Sequence, residues 1–329
     1  MLMRENSRRY NSLYAVSDDE GETWSKPKEL PAALTGDRHA AVDAKDGRLV
    51  VMLRDRRPVP KSEANHDKGG QSVWGSGKTT VWVGRYEDIP TGREGQYLMR
   101  VLGYGGYGKL ECLPDGSILG LTYCRYPDDS RNLSSIVTTR FKLEETDALL
   151  RAKRQLVAPG GVSRPAGEGK EEDLQLRKEQ ARQSFDYQNP IRSQAIDGGI
   201  RDPHIINWDG KYYLTGTSYP FTRGNQTGVR LWSSDDLKNW KMEGILIDSS
   251  KLPEDVWYRD TFWANEIHIA KGKFWLTFNA ANMSAEHKAQ HSCGLAVADK
   301  ITGPYTVLTT RKSLLDGKHV HQTSHPTQP

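Results

Sequence analysis

One short pattern recurs along the chain and limits what it can fold into: a two-residue turn followed by a run of strand-forming residues. Asp46-Gly47 leads into Arg48 to Leu53, Asp115-Gly116 into Ser117 to Tyr123, Asp209-Gly210 into Lys211 to Thr217, and Lys271-Gly272 into Lys273 to Phe278. Such a turn needs a positive φ, which glycine adopts without a Cβ clash, so each copy predicts a hairpin. A second repeat runs from Ser17 to Trp24 and from Ser233 to Trp240, with Ser and Trp seven residues apart in each. Both copies follow a strand-like run, Leu13 to Val16 and Val229 to Trp232. Short strands with periodic glycine and aromatic marks predict an all-β fold of radially arranged sheets, a β-propeller in which each blade covers its neighbour's apolar face. A β-sandwich is the second arrangement this pattern allows.

Composition narrows the partners. The 329 residues are 36% hydrophobic and 27% charged, and no stretch approaches the ~20 apolar residues of a membrane span. Forty-six basic against 42 acidic side chains leave a formal charge of +4, spread along the chain, so neither a nucleic-acid nor a membrane partner is expected. Met1 to Tyr10 is basic without an apolar segment, so no secretory signal is read there. Cys112, Cys124 and Cys293 lie far apart and predict free thiols, with no zinc site of usual spacing. His287 and His291 are four residues apart, but a third ligand is not evident, so no metal and no cofactor is expected. Gly75 to Thr79 has the look of a phosphate loop, yet Ser72 stands where its first glycine belongs and Val81-Trp82-Val83 reads as a strand, so nucleotide binding is not expected. Between residues 151 and 189 the strand pattern gives way to Pro-Gly-Gly and charged runs, which predicts a linker between a unit at 1–150 and another at 190–329.

In the first unit, Ser17-Asp18-Asp19-Glu20-Gly21-Glu22-Thr23-Trp24 resembles the Asp box of sialidases at every fixed position. The resemblance implies the later blades of a six-bladed sialidase-like propeller, with a box that is structural and whose Trp24 plugs the blade edge. It also implies Arg54 and Arg93 as ligands of an anionic sugar and Tyr107, in Tyr107-Gly108-Lys109-Leu110, as the nucleophile. The departure is at Arg38-His39, where the family carries the glutamate that activates the tyrosine; a tyrosine hydroxyl without a base is a poor nucleophile.

In the second unit, Ile200-Arg201-Asp202-Pro203-His204 before the Asp209-Gly210 hairpin is the densest signal. It is similar to the first blade of family 43 glycoside hydrolases, five-bladed propellers acting on arabinose- and xylose-containing glycans. Ser234 to Trp240, Trp263-Ala264-Asn265-Glu266-Ile267-His268, and Gly294 to Ala298 with Thr302 to Tyr305 match the family's later motifs in order. By this resemblance Asp202 is the general base of an inverting two-carboxylate hydrolysis of O-glycosidic bonds in plant- or microbial-type glycans. Glu266 lines the pocket, Trp263 offers an aromatic platform, and His204 joins the substrate-binding set. The family's acid and its tuning aspartate lie on later blades, so both propellers read as incomplete and little turnover is expected of this span alone. The partner implied is an oligo- or polysaccharide. The family habit is a secreted or periplasmic location. A non-catalytic glycan-binding or scaffold propeller and an exo-sialidase-like activity of the first unit are the alternatives.

Overall fold

The computed structural model describes residues 1–7, 9–56, 78–102, 107–125, 134–157, 191–193, 196, 199–220, 227–283 and 292–309. They form five antiparallel sheets in chain order, the blades of an all-β five-bladed propeller. Blade one holds β1 (Leu2–Met3), β2 (Leu13–Tyr14) and β3 (Lys28–Glu29). Blade two holds β4 (Gly36–Asp43), β5 (Leu49–Asp55), β6 (Thr79–Gly84) and, after the short helix α1 (Asp88–Thr91), β7 (Tyr97–Leu102). Blade three holds β8 (Lys109–Cys112), β9 (Ile118–Arg125), β10 (Ser134–Phe141) and, after helix α2 (Leu143–Val157), β11 (Ile191–Arg192). Blade four holds β12 (Ile200–Trp208), β13 (Lys211–Ser218), β14 (Gly228–Ser234) and β15 (Lys241–Asp248). Blade five holds β16 (Thr261–Ala270), β17 (Lys273–Ala281), β18 (Ser292–Ala298) and β19 (Thr306–Val307).

The four predicted hairpins are present, and Gly47, Gly116, Gly210 and Gly272 take φ of 77°, 81°, 75° and 70°. At Gly47, Gly210 and Gly272 a Cβ would meet nothing within 4 Å, so conformation and not space selects glycine there. In the first two turns the aspartate also holds the backbone: Asp46 accepts from the Arg48 amide and Asp115 from the Ser117 amide.

Neighbouring blades join through shared apolar layers. Val50, Met52 and Val81 of blade two meet Leu110 and Ile118 of blade three. Leu119, Leu121, Ile136 and Ile191 of blade three meet Ile200, Ile205, Leu214 and Trp232 of blade four. Val229 and Leu231 of blade four meet Phe262, Leu276 and Phe278 of blade five. A fully buried leucine- or phenylalanine-sized side chain contributes about 1.5–3 kcal/mol, so these layers fix how the blades are stacked. The inner strands β4, β8, β12 and β16 come together along the series.

From the sequence, two modules separated at 151–189 are expected. The described sheets form one consecutive series, and β11 pairs with β10 at Thr138↔Ile191. The charged stretch therefore falls between the third and outer strands of blade three. Residues 151–157 continue α2, and 158–190 lie outside the described residues, as do the Gly75 to Gly77 part of the loop-like motif and His287 and His291. Thr79 begins β6, a strand as expected.

The serine–tryptophan repeat holds with a changed register. Ser17 Oγ accepts from the Gly21 amide at 2.8 Å, and Asp19 accepts from the Thr23 amide and hydroxyl at 2.9 and 2.5 Å. The matching residues in blade four are Ser234 and Asp236. Ser234 Oγ accepts from the Leu237 amide at 2.9 Å, and Asp236 from the amides of Lys238 and Asn239, both at 2.8 Å. Ser233 instead donates to Glu243. Trp24 is 47% exposed and does not plug a blade edge; its Nε1 donates to the Gly21 carbonyl within the same turn.

Candidate active site

Three inner strands carry the same irregularity at the same height. The pairing slips by one residue between Asp37 and Ala40 of β4, between Arg201 and His204 of β12, and between Trp263 and Glu266 of β16. Each is a bulge holding one extra residue, and in each the second residue has a left-handed backbone: Arg38 at φ 59°, Asp202 at 46° and Ala264 at 47°. A non-glycine residue there costs on the order of 1–3 kcal/mol and re-aims its side chain. Gly216 on β13 allows the Asp202 bulge, since a Cβ there would lie 2.8 Å from the Arg201 carbonyl oxygen.

The bulges converge on one pocket. Arg38 and His39 come from blade two, Tyr107, Gly108 and Lys109 from blade three, Asp202 and Pro203 from blade four, and Ala264, Glu266 and Asn279 from blade five. Both halves of the chain thus build the same pocket. Its space is about 520 Å³ including the open mouth, with room inside for one or two waters.

Asp202 is held from one side only. Its Oδ2 accepts from Thr217 Oγ1 at 3.1 Å, and Thr217 Oγ1 in turn accepts from the Ala264 amide at 2.9 Å. Its Oδ1 is buried with no hydrogen-bond partner among the described residues. Burial raises the Asp202 pKa above the usual carboxylate value, against the opposing pull of Arg38, Thr217 and Arg201. Glu266 is the opposite case. Burial pushes it upward too, but the Lys109 ammonium at 2.5 Å, with the neighbouring His268 and His204, outweighs that and holds it well below the ordinary range. Arg38 lies 3.7 Å over the Tyr107 ring, and its Nε is buried without a partner among the described residues.

His204, Glu266 and His268 have ligand atoms within 4.8 Å of one another, a grouping that can hold a metal ion. Lys109 already balances the Glu266 charge there, which disfavours a second cation. The two imidazoles are 5.2 Å apart between centroids.

The sequence-derived residues divide clearly. Asp202, Tyr107 and Glu266 line the pocket, and His204 is buried two residues beyond Asp202. Arg54 borders it, 4.9 Å from the Tyr107 ring, but is committed to a bidentate pair with Asp37 at 2.7 Å on both oxygens. Trp263 is half-buried at the edge of the β16 bulge, paired with Asn279, and is not among the lining residues. Arg93 stands away from the pocket after α1, 61% exposed, paired with Asp88 at 2.8 Å. The three cysteines are free thiols. Arg38 and Lys109 were not singled out as site residues. A signal for Arg38 exists, because it precedes Asp46-Gly47 by eight residues much as Asp202 precedes Asp209-Gly210 by seven.

Residues 187–325 match the family model described as glycosyl hydrolases family 43. Among curated proteins, the Escherichia coli K12 protein named "Putative beta-xylosidase" is 27% identical over 120 residues, which is 36% of this chain and 21% of that relative. The chain thus spans about a fifth of the curated relative's length. Among solved structures, a thermostable family-43 glycoside hydrolase is 28% identical, with 37% of this chain and 35% of that chain covered and a TM-score of 0.30. An endo-arabinase from Bacteroides thetaiotaomicron is 26% identical, with 34% and 36% covered and a TM-score of 0.28.

Proposed function

We propose that the pocket hydrolyses O-glycosidic bonds of plant- or microbial-type glycans by an inverting mechanism, with Asp202 as general base. One observation carries the reading: a carboxylate fixed through Oδ2, with a buried Oδ1 that has no partner among the described residues, beside a space of water size. A water there would give its proton to Oδ1 while its oxygen attacks the anomeric carbon from the face opposite the leaving group. Protonation of the leaving oxygen falls to a group other than Glu266, which Lys109 keeps ionised. The family likeness and the names of the relatives direct the search to arabinose- and xylose-containing glycans.

Arabino- and xylo-oligosaccharides are the first substrates to assay. Asp202→Asn should lower hydrolysis by about 10²–10⁴-fold while leaving glycan binding in place. The acid limb of the rate profile should lie above the ordinary aspartate range, because the base works only when ionised and burial raises its pKa. Equal turnover by Asp202→Asn contradicts the role.

A second reading is a non-catalytic glycan-binding propeller. It is favoured by the cations beside both carboxylates, Arg38 near Asp202 and Lys109 on Glu266. Binding that survives Asp202→Asn, with no turnover by the parent protein, selects it. A sialidase-type reaction at Tyr107 has less support: the groups facing that ring are Arg38 and Arg54, and guanidinium cannot take its proton.

A further inference from the structure

A second void opens beside β4. Where Arg38 turns toward the Asp202 pocket, Asp37 turns into a basin of about 250 Å³ shared with Arg4, Arg56, Tyr10, Ser12 and Thr35. Three guanidiniums gather on the single Asp37 carboxylate: Arg54 at 2.7 Å, Arg56 at 3.1 Å and Arg4 at 3.8 Å. Asp37 is 2% exposed, whereas the Arg56 and Arg4 side chains are 27% and 41% exposed. The other acid on the wall, Glu5, is turned to the amides of Ser7, Arg9 and Tyr10. One buried carboxylate cannot satisfy three planar forks, each built to grip an anion through two donors. Arg54 spends Nε and Nη2 on Asp37, Arg56 spends Nε on Asp37, and Arg4 spends Nε on Asn6 Oδ1 at 2.6 Å, so among the described residues the terminal nitrogens of Arg56 and Arg4 are the donors left to face the basin. Tyr10, 62% exposed, adds an aromatic face of the kind that suits the apolar face of a sugar.

The basin and the Asp202 pocket are one layer of side chains apart, since Arg54 bonds Asp37 on one side and approaches the Tyr107 ring on the other. We propose that this basin is a second saccharide subsite that takes a sugar bearing a carboxylate, so that the glycan recognised by the protein is acidic. This inference rests on the reading of the Asp202 pocket as a glycan site.

Calorimetric titration of the full chain with trigalacturonate, xylotriose and a sulfated xylotriose tests it. Trigalacturonate should bind at least tenfold tighter than xylotriose at low salt, and the gap should shrink as ionic strength rises. Arg56→Gln and Arg4→Gln should each narrow the gap by about tenfold, the effect of one charge-assisted hydrogen bond. Arg4 is exposed enough that its substitution leaves the core intact. Equal affinity for the acidic and neutral ligands overturns the proposal. So does a gap indifferent to salt or to both substitutions, or a preference for the sulfated over the carboxylated ligand. If xylotriose binds in an Asp202-dependent way without any acidic preference, only this inference falls. If neither ligand binds, the glycan reading of the pocket falls with it.

Discussion

β4 and β12 carry the same two charges in opposite order: Asp37-Arg38 in one bulge, Arg201-Asp202 in the other. The residue with the left-handed backbone is the one that lines the central pocket, so exchanging the order exchanges the charge presented there. In β4 the aspartate falls one place earlier and is gripped by Arg54 and Arg56, which with hydrogen bonds hold its pKa below the usual value against the opposing effect of burial. In β12 the aspartate occupies the bulge, has one hydrogen bond among the described residues, from Thr217 Oγ1, and burial raises its pKa. Burial opposes the ionisation of both, yet one is a structural carboxylate and the other a poised one. Partner count decides the difference.

The largest expected difference between them is in stability. Asp37→Asn leaves guanidiniums without their counter-charge and should destabilise the fold by about 3 kcal/mol at neutral pH. Its pKa is depressed, so the Asp37 contribution is present above the ordinary aspartate pKa and is lost as pH falls through the depressed one. Asp202 has the opposite sign. Its raised pKa makes ionisation unfavourable in the folded state, so Asp202→Asn should be neutral or stabilising at pH 7 and indistinguishable from the parent below the ordinary aspartate pKa. Parallel thermal melts from about pH 3 to 8 would break the comparison if both variants behaved alike.

Glu111 on β8 sharpens it. Burial, only partly offset by an amide bond from Asn207, raises its pKa to about 7. Against its ordinary value of 4.5, this group favours the folded state at low pH and loses that contribution as pH rises toward 7. Glu111→Gln should therefore gain stability above pH 7, by up to about 3 kcal/mol, and show no gain near pH 4. A gain independent of pH would assign the effect to packing.

The smallest expected effect concerns the two serine turns. Ser17→Ala and Ser234→Ala each remove an oxygen that holds backbone amides, and should cost about 1 kcal/mol. The buried setting of the second turn, with Leu237 at 3% exposure, should make its loss the greater. Chemical denaturation of both variants measures the difference.

What was legible in the sequence was local. Asp-Gly turns have a fixed backbone requirement, so hairpins and the radial arrangement followed from them, whereas Asp202 was singled out by the resemblance of its motif to that of family 43 glycoside hydrolases. The pocket was harder to see because it joins residues that are remote in the chain: Arg38 meets Tyr107, and Lys109 meets Glu266. Only the stacking of blades brings these together. Arg54 was visible as a candidate ligand, but its capture by Asp37 depends on the β4–β5 register, where the two residues are directly opposite. Arg93 had no equivalent signal to exclude it, since a surface pair with Asp88 and a ligand arginine look the same in one dimension. The break at 151–189 was real as composition, but composition does not say whether a charged stretch joins two units or interrupts one blade.

The most direct measurement is a carbon-13 titration of the carboxyl groups of Asp37 and Asp202, with and without xylotriose. Asp202 should titrate above the ordinary aspartate value and Asp37 below it, and the sugar should shift the Asp202 resonance while Asp37 stays in place. An Asp202 carboxyl that titrates at or below the ordinary value, or ignores a sugar that binds, would contradict its role as the working carboxylate of the pocket.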